Sequence, residues 1–394
     1  MQTKAIGQDR IERLQQALRE RGVAAMVCFK PENSFYLSGF NPIIYSHPMV
    51  AVLPAQGEPV VLVHALRDDH ARAEAWVKDI RLYGAWGTKK TMGLDFMAVL
   101  GAILNECGAA SGPLGIEEDF LPLTRGRQLE SALPGIKLVN ISDIISKARL
   151  IKEPHEIECI RIACRIADAG MATAISAVAA GVSEREASIA AMATMNRVWA
   201  QDYPDYEVSD FGSLEGGVHN GLWCWTLYGD RVAINTDNPT SRRPKPGELA
   251  LILIWANANS HHAENERSVA IGALSKEQRR AFDAILEIRA RTAPLLKPGT
   301  PVKDVYLAAK AEYERLGYGP NTPGRIGHGM GLGAHEEPSM EAKSDLVLQP
   351  NMVLTFEPNL RIPPWGGLQH SDTVLITESG HEFLTKTENG FIQV

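Results

Sequence analysis

The chain opens on a helical period and then changes register. In IGQDRIERLQQALRERG, residues 6–22, the apolar Ile11, Leu14 and Leu18 fall on one helical face and Gly22 closes the segment. VAAMVCF (23–29), MVAVLP (49–54) and GEPVVLVH (57–64) then read as strands, the last two joined by a turn at Ala55-Gln56-Gly57. A helical stretch over Asp69–Val77 leads into the strand-like IRLYG (80–84), and a further helix spans Leu94–Glu106. The alternation predicts an α/β domain ending near Ile145.

A charged segment, KARLIKEP (147–154), separates this part from a second core, giving expected domains of 1–148 and 149–394. Ile157, Ile160, Cys164, Ala167 and Met171 mark a long amphipathic helix. A second helix follows Gly181, with Ser183 and Glu186 spaced as a capping box. After strand-like segments comes ILIWANANSHHAENERSVAIG (252–272), read as strand, polar corner, strand. Another helix pair, 275–296 and 301–317, is joined by KPGT, and strand patterns return at MVLTFEPNL, TVLIT and EFLT. Helix pair then strands, twice over, suggests an internal duplication carried by patterning alone.

Composition narrows the class. The 394 residues are 45% hydrophobic and 22% charged with a formal net charge of −7, and no basic block offers a nucleic acid or an anionic membrane a partner. No unbroken apolar run reaches the ~18 residues of a membrane span, and the polar start, Met1 to Arg10, favours a cytoplasmic location. Cys28, Cys107, Cys159, Cys164 and Cys224 are odd in number, form no C-x-x-C pair and mostly sit in apolar contexts, as reduced core thiols do. Cys224 as a nucleophile has no base beside it in sequence.

Histidine and acid cluster in four places: His261, His262, Glu264 and Glu266 in the hairpin; His328, His335, Glu336 and Glu337 in GHGMGLGAHEEP; Glu357 in TFEPNL; and His370 with Asp372 in LQHSDT. Single residues of these kinds are ordinarily solvated or satisfied. The glycines between His328 and His335 allow close backbone approach to a ligand. Glu357 lies inside a strand pattern, where an unpaired carboxylate is costly. Glu264 and Glu266, two apart, face one side of a strand.

RLIKEPHEIECIR, LLKPGT, GHGMGLGAHEEP, LTFEPNL and DTVLITESGHEFLT, in that order, resemble the aminopeptidase P, methionine aminopeptidase and creatinase superfamily of pita-bread hydrolases. NSFYLSGF (33–40) and GEPVVLV resemble that superfamily's creatinase/prolidase amino-terminal domain. The resemblance implies an α+β fold: a pita-bread C-terminal domain with pseudo-twofold halves, preceded by an α/β amino-terminal domain. Its peptidases hold two metal ions with two Asp, one His and two Glu. Carried over, the His is His328, the first Glu is Glu357 and the second Asp falls on Glu264. The first Asp falls on Leu253 and the last Glu on Ser371. Should the first hairpin arm slip in register, Asn257 or Asn259 would stand for that Asp, and neither is anionic.

With only Glu264, His328 and Glu357 left, a metal pair lacks its carboxylates, whereas one zinc-type ion with three protein ligands and a water stays open. The resemblance to creatinase, a metal-free member, places Glu266 and Glu357 at the glutamates that accept hydrogen bonds from a guanidinium. The leading expectation is therefore a cofactor-free, metal-independent hydrolase of an amide, amidine or guanidine C–N bond in a small molecule, creatinase-like or ectoine-hydrolase-like. His328 or His335 would be the base, Glu264, Glu266 and Glu357 would complete the catalytic group, and a glutamate could attack covalently. His261, His262, Asp237 and His370 are expected to contact substrate. Where the family's usual loop histidine is expected, only Thr236 or Asp237 occurs, and the nearest histidine upstream is His219. A homodimer is expected, Tyr45 and His47 closing the partner's site. The rival readings are a metal-dependent Xaa-Pro peptidase, which chelation would silence, and a peptide-binding pita-bread domain without turnover.

Overall fold

The computed structural model describes residues 8–211, 220–234, 237–363 and 365–394. His219 and Thr236 lie outside the described residues. The chain divides into two compact units, residues 1–149 with 210–219, and residues 150–209 with 220–394.

The first unit is a six-stranded mixed sheet in the order β4-β3-β2-β1-β5-β6. Its strands are β1 (Ala25–Cys28), β2 (Val50–Pro54), β3 (Val60–His64), β4 (Asp79–Tyr83), β5 (Pro113–Ile116) and β6 (Lys137–Asn140). Helices α1 (Gln8–Arg21), α2 (Pro31–Ser38), α3 (Asp68–Glu74), α4 (Phe96–Glu106), α5 (Leu123–Ala132) and α6 (Ser142–Leu150) accompany it. Val27, Val52, Leu62, Leu100 and Leu114 are fully buried in its core. The periodicity found α1, α3 and α4 but not α2, whose Phe35, Tyr36 and Leu37 run consecutively. Pro31 in its first turn and the left-handed Gly39 at its C-cap (φ 71°) bound it instead.

The second unit is built on helices α7 (Pro154–Ala179), α8 (Glu184–Asp202), α9 (Lys276–Thr292) and α10 (Val302–Arg315). Its strands are β7 (Trp223–Tyr228), β8 (Leu249–Ala258), β9 (His261–Ala270), β10 (His328–Gly329), β11 (Glu336–Ser339), β12 (Val353–Phe356), β13 (Asn359–Ile362), β14 (Gly366–Gln369), β15 (Ser371–Ile376), β16 (His381–Phe383) and β17 (Ile392–Gln393). One sheet runs β11-β10-β12-β15-β9-β8-β7, with β16 on β15 and β17 on β9, while β13 and β14 pair separately. The pair α7–α8 precedes β7–β9 and the pair α9–α10 precedes β10–β15, so the succession of helices and strands recurs as the sequence pattern implies.

Pro154 occupies the first turn of α7, and Glu153 with Glu156 forms its capping box. Ser183 and Glu186 do the same for α8. By length and composition α7 alone among the described helices is long and apolar enough to cross a membrane, although charged residues recur along it as far as Asp168. Half of that window is buried, and Ile160, Cys164, Ala167 and Met171 pack with Ile252 and Ile254 of β8 in the unit's core. The β8–β9 hairpin turns at Asn259 and Ser260, both left-handed (φ 46° and 62°), a geometry that suits two-residue turns between twisted strands.

Candidate functional site

Strand parity on β9 sorts the hairpin's polar residues onto two faces. His262, Glu264 and Glu266 share one, and His261, Asn265 and Arg267 share the other. The β8–β9 register is unbroken, with Leu253 opposite Glu266 and Trp255 opposite Glu264. No slip brings Asn257 or Asn259 into the place of Leu253. On the other side of β9, Ser371 of β15 pairs with Glu266.

Glu264 and Glu266, each 1% exposed, border a cavity of about 790 Å3 with Leu253, Trp255, Glu357 and Arg325. His335 and Gln369 complete that part of the wall. Ser371 Oγ donates to Glu264 Oε1 at 2.5 Å, and Trp255 Nε1 donates to Glu264 Oε2 at 3.0 Å. Gln369 Nε2 donates to Glu266 Oε2 at 2.6 Å.

His328 enters on β10, where its backbone N–H donates to Thr355 Oγ1. Its ring is fixed by Nδ1, which faces the Gly329 carbonyl at 2.9 Å. A carbonyl only accepts, so Nδ1 carries the proton. Nε2 is left 3.6 Å from Glu264 Oε2 and 3.8 Å from Glu357 Oε1, buried and without a hydrogen-bond partner among the described residues. The three groups each offer one ligand atom, and these lie within 4.8 Å of one another. Metal–ligand bonds of ~2.0–2.2 Å in a tetrahedron put ligand atoms about 3.4 Å apart. The spacing fits one divalent ion, and an imidazole whose far nitrogen is tied to a carbonyl is the form that binds metal.

Burial and neighbouring charges shift the acidity of each group. Burial pushes the Glu357 carboxyl up to about 7, with the Glu264 charge adding. Burial, then Glu264 and Glu357, raises Glu266 well above the carboxylate range. Burial opposes ionisation of Glu264 too, but His328 and Ser371 hold its pKa down. Burial disfavours a charged His328, yet its two carboxylate neighbours outweigh that and raise its pKa. His335, its ring 4.3 Å from that of His328, is lowered to about 4 by burial and then by His328.

The structure thus brings His328, Glu264, Glu266, Glu357 and His335 together. Other expected contacts lie elsewhere. His262 shares the face of Glu264, but its Nδ1 donates to the Gly331 carbonyl and ties down the glycine-rich loop. His261, on the opposite face, stands 3.4 Å from Glu156. His370 is fully buried against Phe282 and follows the pocket residue Gln369. Asp237 pairs with Arg231 at 2.9 Å. None of these four is among the described residues lining the cavity. In the first unit, His47 stacks on His64 at 4.0 Å, and the Tyr45 hydroxyl donates to Asn41 Oδ1. Trp255, Gln369 and Arg325 were not singled out from the sequence. The alternation of 369 with 371 about His370 would have marked Gln369.

Residues 158–378 match metallopeptidase family M24, and residues 10–151 match the creatinase/prolidase N-terminal domain. An Xaa-Pro dipeptidase of Pyrococcus furiosus is 26% identical over 386 residues, covering 96% of this chain and 98% of that one. A creatinase of Bacillus sp. (strain B-0618) is 30% identical over 305 residues, covering 74% and 71%. Among solved structures, prolidase from Pyrococcus furiosus superposes with a TM-score of 0.80 at 26% identity, covering 95% of this chain and all of that one. An Xaa-Pro dipeptidase from Bacillus anthracis gives 0.83 at 22% identity, covering 98% and 99%, a likeness of fold. These findings overturn the expectation of a metal-independent hydrolase of amide, amidine or guanidine C–N bonds. Near full-length relatives include Xaa-Pro dipeptidases, and the matched family is one of metallopeptidases. The expectation of metal independence conflicts with the match to a metallopeptidase family. The chain belongs to metallopeptidase family M24, a family of hydrolases, and carries that family's creatinase/prolidase N-terminal domain.

Proposed function

We propose that this protein is a metal-dependent dipeptidase that cleaves the peptide bond of small substrates of the Xaa-Pro kind. The observation that carries the reading is the orphaned Nε2 of His328, its tautomer fixed through Nδ1, aimed between the carboxylates of Glu264 and Glu357. Similarity to the Xaa-Pro dipeptidase of Pyrococcus furiosus along nearly the whole chain supports the substrate class. A cavity of about 790 Å3 lies within the size range of small-ligand pockets.

Glu264, His328 and Glu357 would hold the ion. Bound there, a divalent ion supplies Lewis-acid polarisation of a carbonyl oxygen and acidifies water. The remaining roles belong to the chain itself. Ser371 and Trp255 fix both oxygens of Glu264 and so set the direction of its lone pairs. His335, on the cavity wall, offers an imidazole to hydrogen-bond the substrate's peptide group. Arg325, its side chain 43% exposed and 3.8 Å from Glu357, provides a cation for a dipeptide's carboxylate. Glu266 presents a carboxyl to the substrate's amino end.

The test is turnover of Xaa-Pro and control dipeptides by protein stripped with a chelator and then reloaded with zinc, manganese or cobalt. Cleavage that disappears on stripping and returns on reloading is expected. Unchanged cleavage after complete removal of metal would sink the proposal.

A further inference from the structure

We infer that this centre takes a single divalent ion, on Glu264, His328 and Glu357, and that the row of residues beside it, Leu253–Glu266–Ser371, takes none. The inference rests on the metal-dependent reading above and concerns how many ions the pocket holds. The cross-strand register carries it. Leu253 of β8 and Ser371 of β15 are the direct partners of Glu266 on its two sides, so the three side chains form one line across the sheet on the cavity face.

Each member of the line fails as a ligand in its own way. Leu253 is hydrocarbon, 2% exposed, and belongs to an apolar cluster with Val232 and Leu251 against which Trp225 and Trp255 pack. The Ser371 hydroxyl is committed as a donor to Glu264 Oε1 at 2.5 Å. Glu266 is then the one anionic group in the row, and its Oε2 already accepts from Gln369 at 2.6 Å. A hard divalent cation needs several oxygen ligands to replace its hydration. One carboxylate beside a leucine cannot offer them. By contrast, an ion on the neighbouring triad meets two carboxylates and one imidazole and has its charge balanced.

Equilibrium dialysis of the full chain against manganese or zinc, followed by elemental analysis, reads the stoichiometry directly. The expected value is one ion per chain, with an uncoupled manganese resonance in the loaded protein. Two ions per chain with a spin-coupled signal would overturn the inference and leave metal dependence standing. No bound ion in protein that still cleaves dipeptides would overturn both. The double variant Leu253→Asp/Ser371→Glu restores carboxylates to both ends of the row and should raise the stoichiometry from one to two. If it folds and still binds one, the row is not what limits the count. Should it fail to fold, the wild-type stoichiometry decides alone, and Glu357→Gln is expected to weaken binding of the single ion at least 10-fold.

Discussion

The two faces of strand β9 carry buried charge in opposite conditions. On the cavity face, Glu264 and Glu357 stand beside an imidazole whose Nε2 has no hydrogen-bond partner among the described residues, with Glu266 two residues along from Glu264. On the rear face, Arg267 donates to Asp372, to the carbonyls of Glu266, Ser371 and Thr387, and through Nε to that of Glu388. Arg289 completes that cluster by pairing with Asp372 and donating to the carbonyls of Phe356 and His370. Thr385 donates to the same Asp372 carboxylate at 2.6 Å. A buried charge with every donor placed is architecture, because nothing further can be added without breaking a bond. Carboxylates raised by burial and by a neighbouring carboxylate, beside an imidazole nitrogen with no partner among the described residues, mark a candidate ligand site.

Mutations on the two faces should therefore fail in different ways. The largest effect is expected from His328→Ala, which removes the imidazole ligand. Roughly 10³-fold or more of kcat/KM should go, corresponding to several kcal/mol of transition-state stabilisation, together with the bound ion. Steady-state kinetics and metal analysis check it, and circular dichroism should report an intact fold. Asp372→Asn, one strand away, should do the reverse. It leaves Arg267 and Arg289 buried without their counter-charge and costs about 3–5 kcal/mol of stability by urea denaturation. An Asp372→Asn protein as stable as wild type would abolish the distinction between the faces.

Acid should expose the same rear-face cluster. Burial favours the neutral form of Asp372, but Arg267 and Arg289 hold its pKa below the ordinary 3.8. The cluster's stabilisation is thus fully present above about pH 4 and is lost as the pH falls through the lower, folded-state value. Wild-type stability should drop on that side of pH 4, and Asp372→Asn should lack the step. Ser371→Ala removes the hydroxyl that fixes Glu264 and should weaken metal binding about 10-fold with little change in folding. Trp255→Phe, which loses one hydrogen bond from a half-buried indole, should cost least, roughly 3-fold, or ~0.5–1 kcal/mol.

Much of the second unit was legible because its signals are local. The long helix with Pro154 in its first turn, the Ser183–Glu186 box and the hairpin with its polar corner all follow from neighbouring residues. In the first unit, β5, α5, β6 and α6 escaped, since short strands such as PLGI and KLVN carry too few positions to establish a period. At the site, the glycine-flanked His328 and the strand-borne Glu357 stood out by context. His261 and His370 stood out equally, and only position in the sheet removes them: His261 lies on the face of β9 opposite Glu264 and Glu266, and His370 follows the pocket residue Gln369 and is not among the described residues of the cavity wall. The aromatic and amide donors, Trp255 and Gln369, gave no chemical signal of their own because their role exists only across strands.

The sequence by itself determined the family, the two-part organisation and the presence of Leu253 and Ser371, neither of them a carboxylate, because residue identity and order along the chain are enough for each. Only the tertiary structure decided that the remaining Glu264, His328 and Glu357 meet within one ion's reach. Three groups separated by 64 and 29 positions, from 264 to 328 to 357, are brought together by the pairing of β9, β15, β12 and β10. The direction of the free imidazole nitrogen depends on a carbonyl that the fold sets beside it.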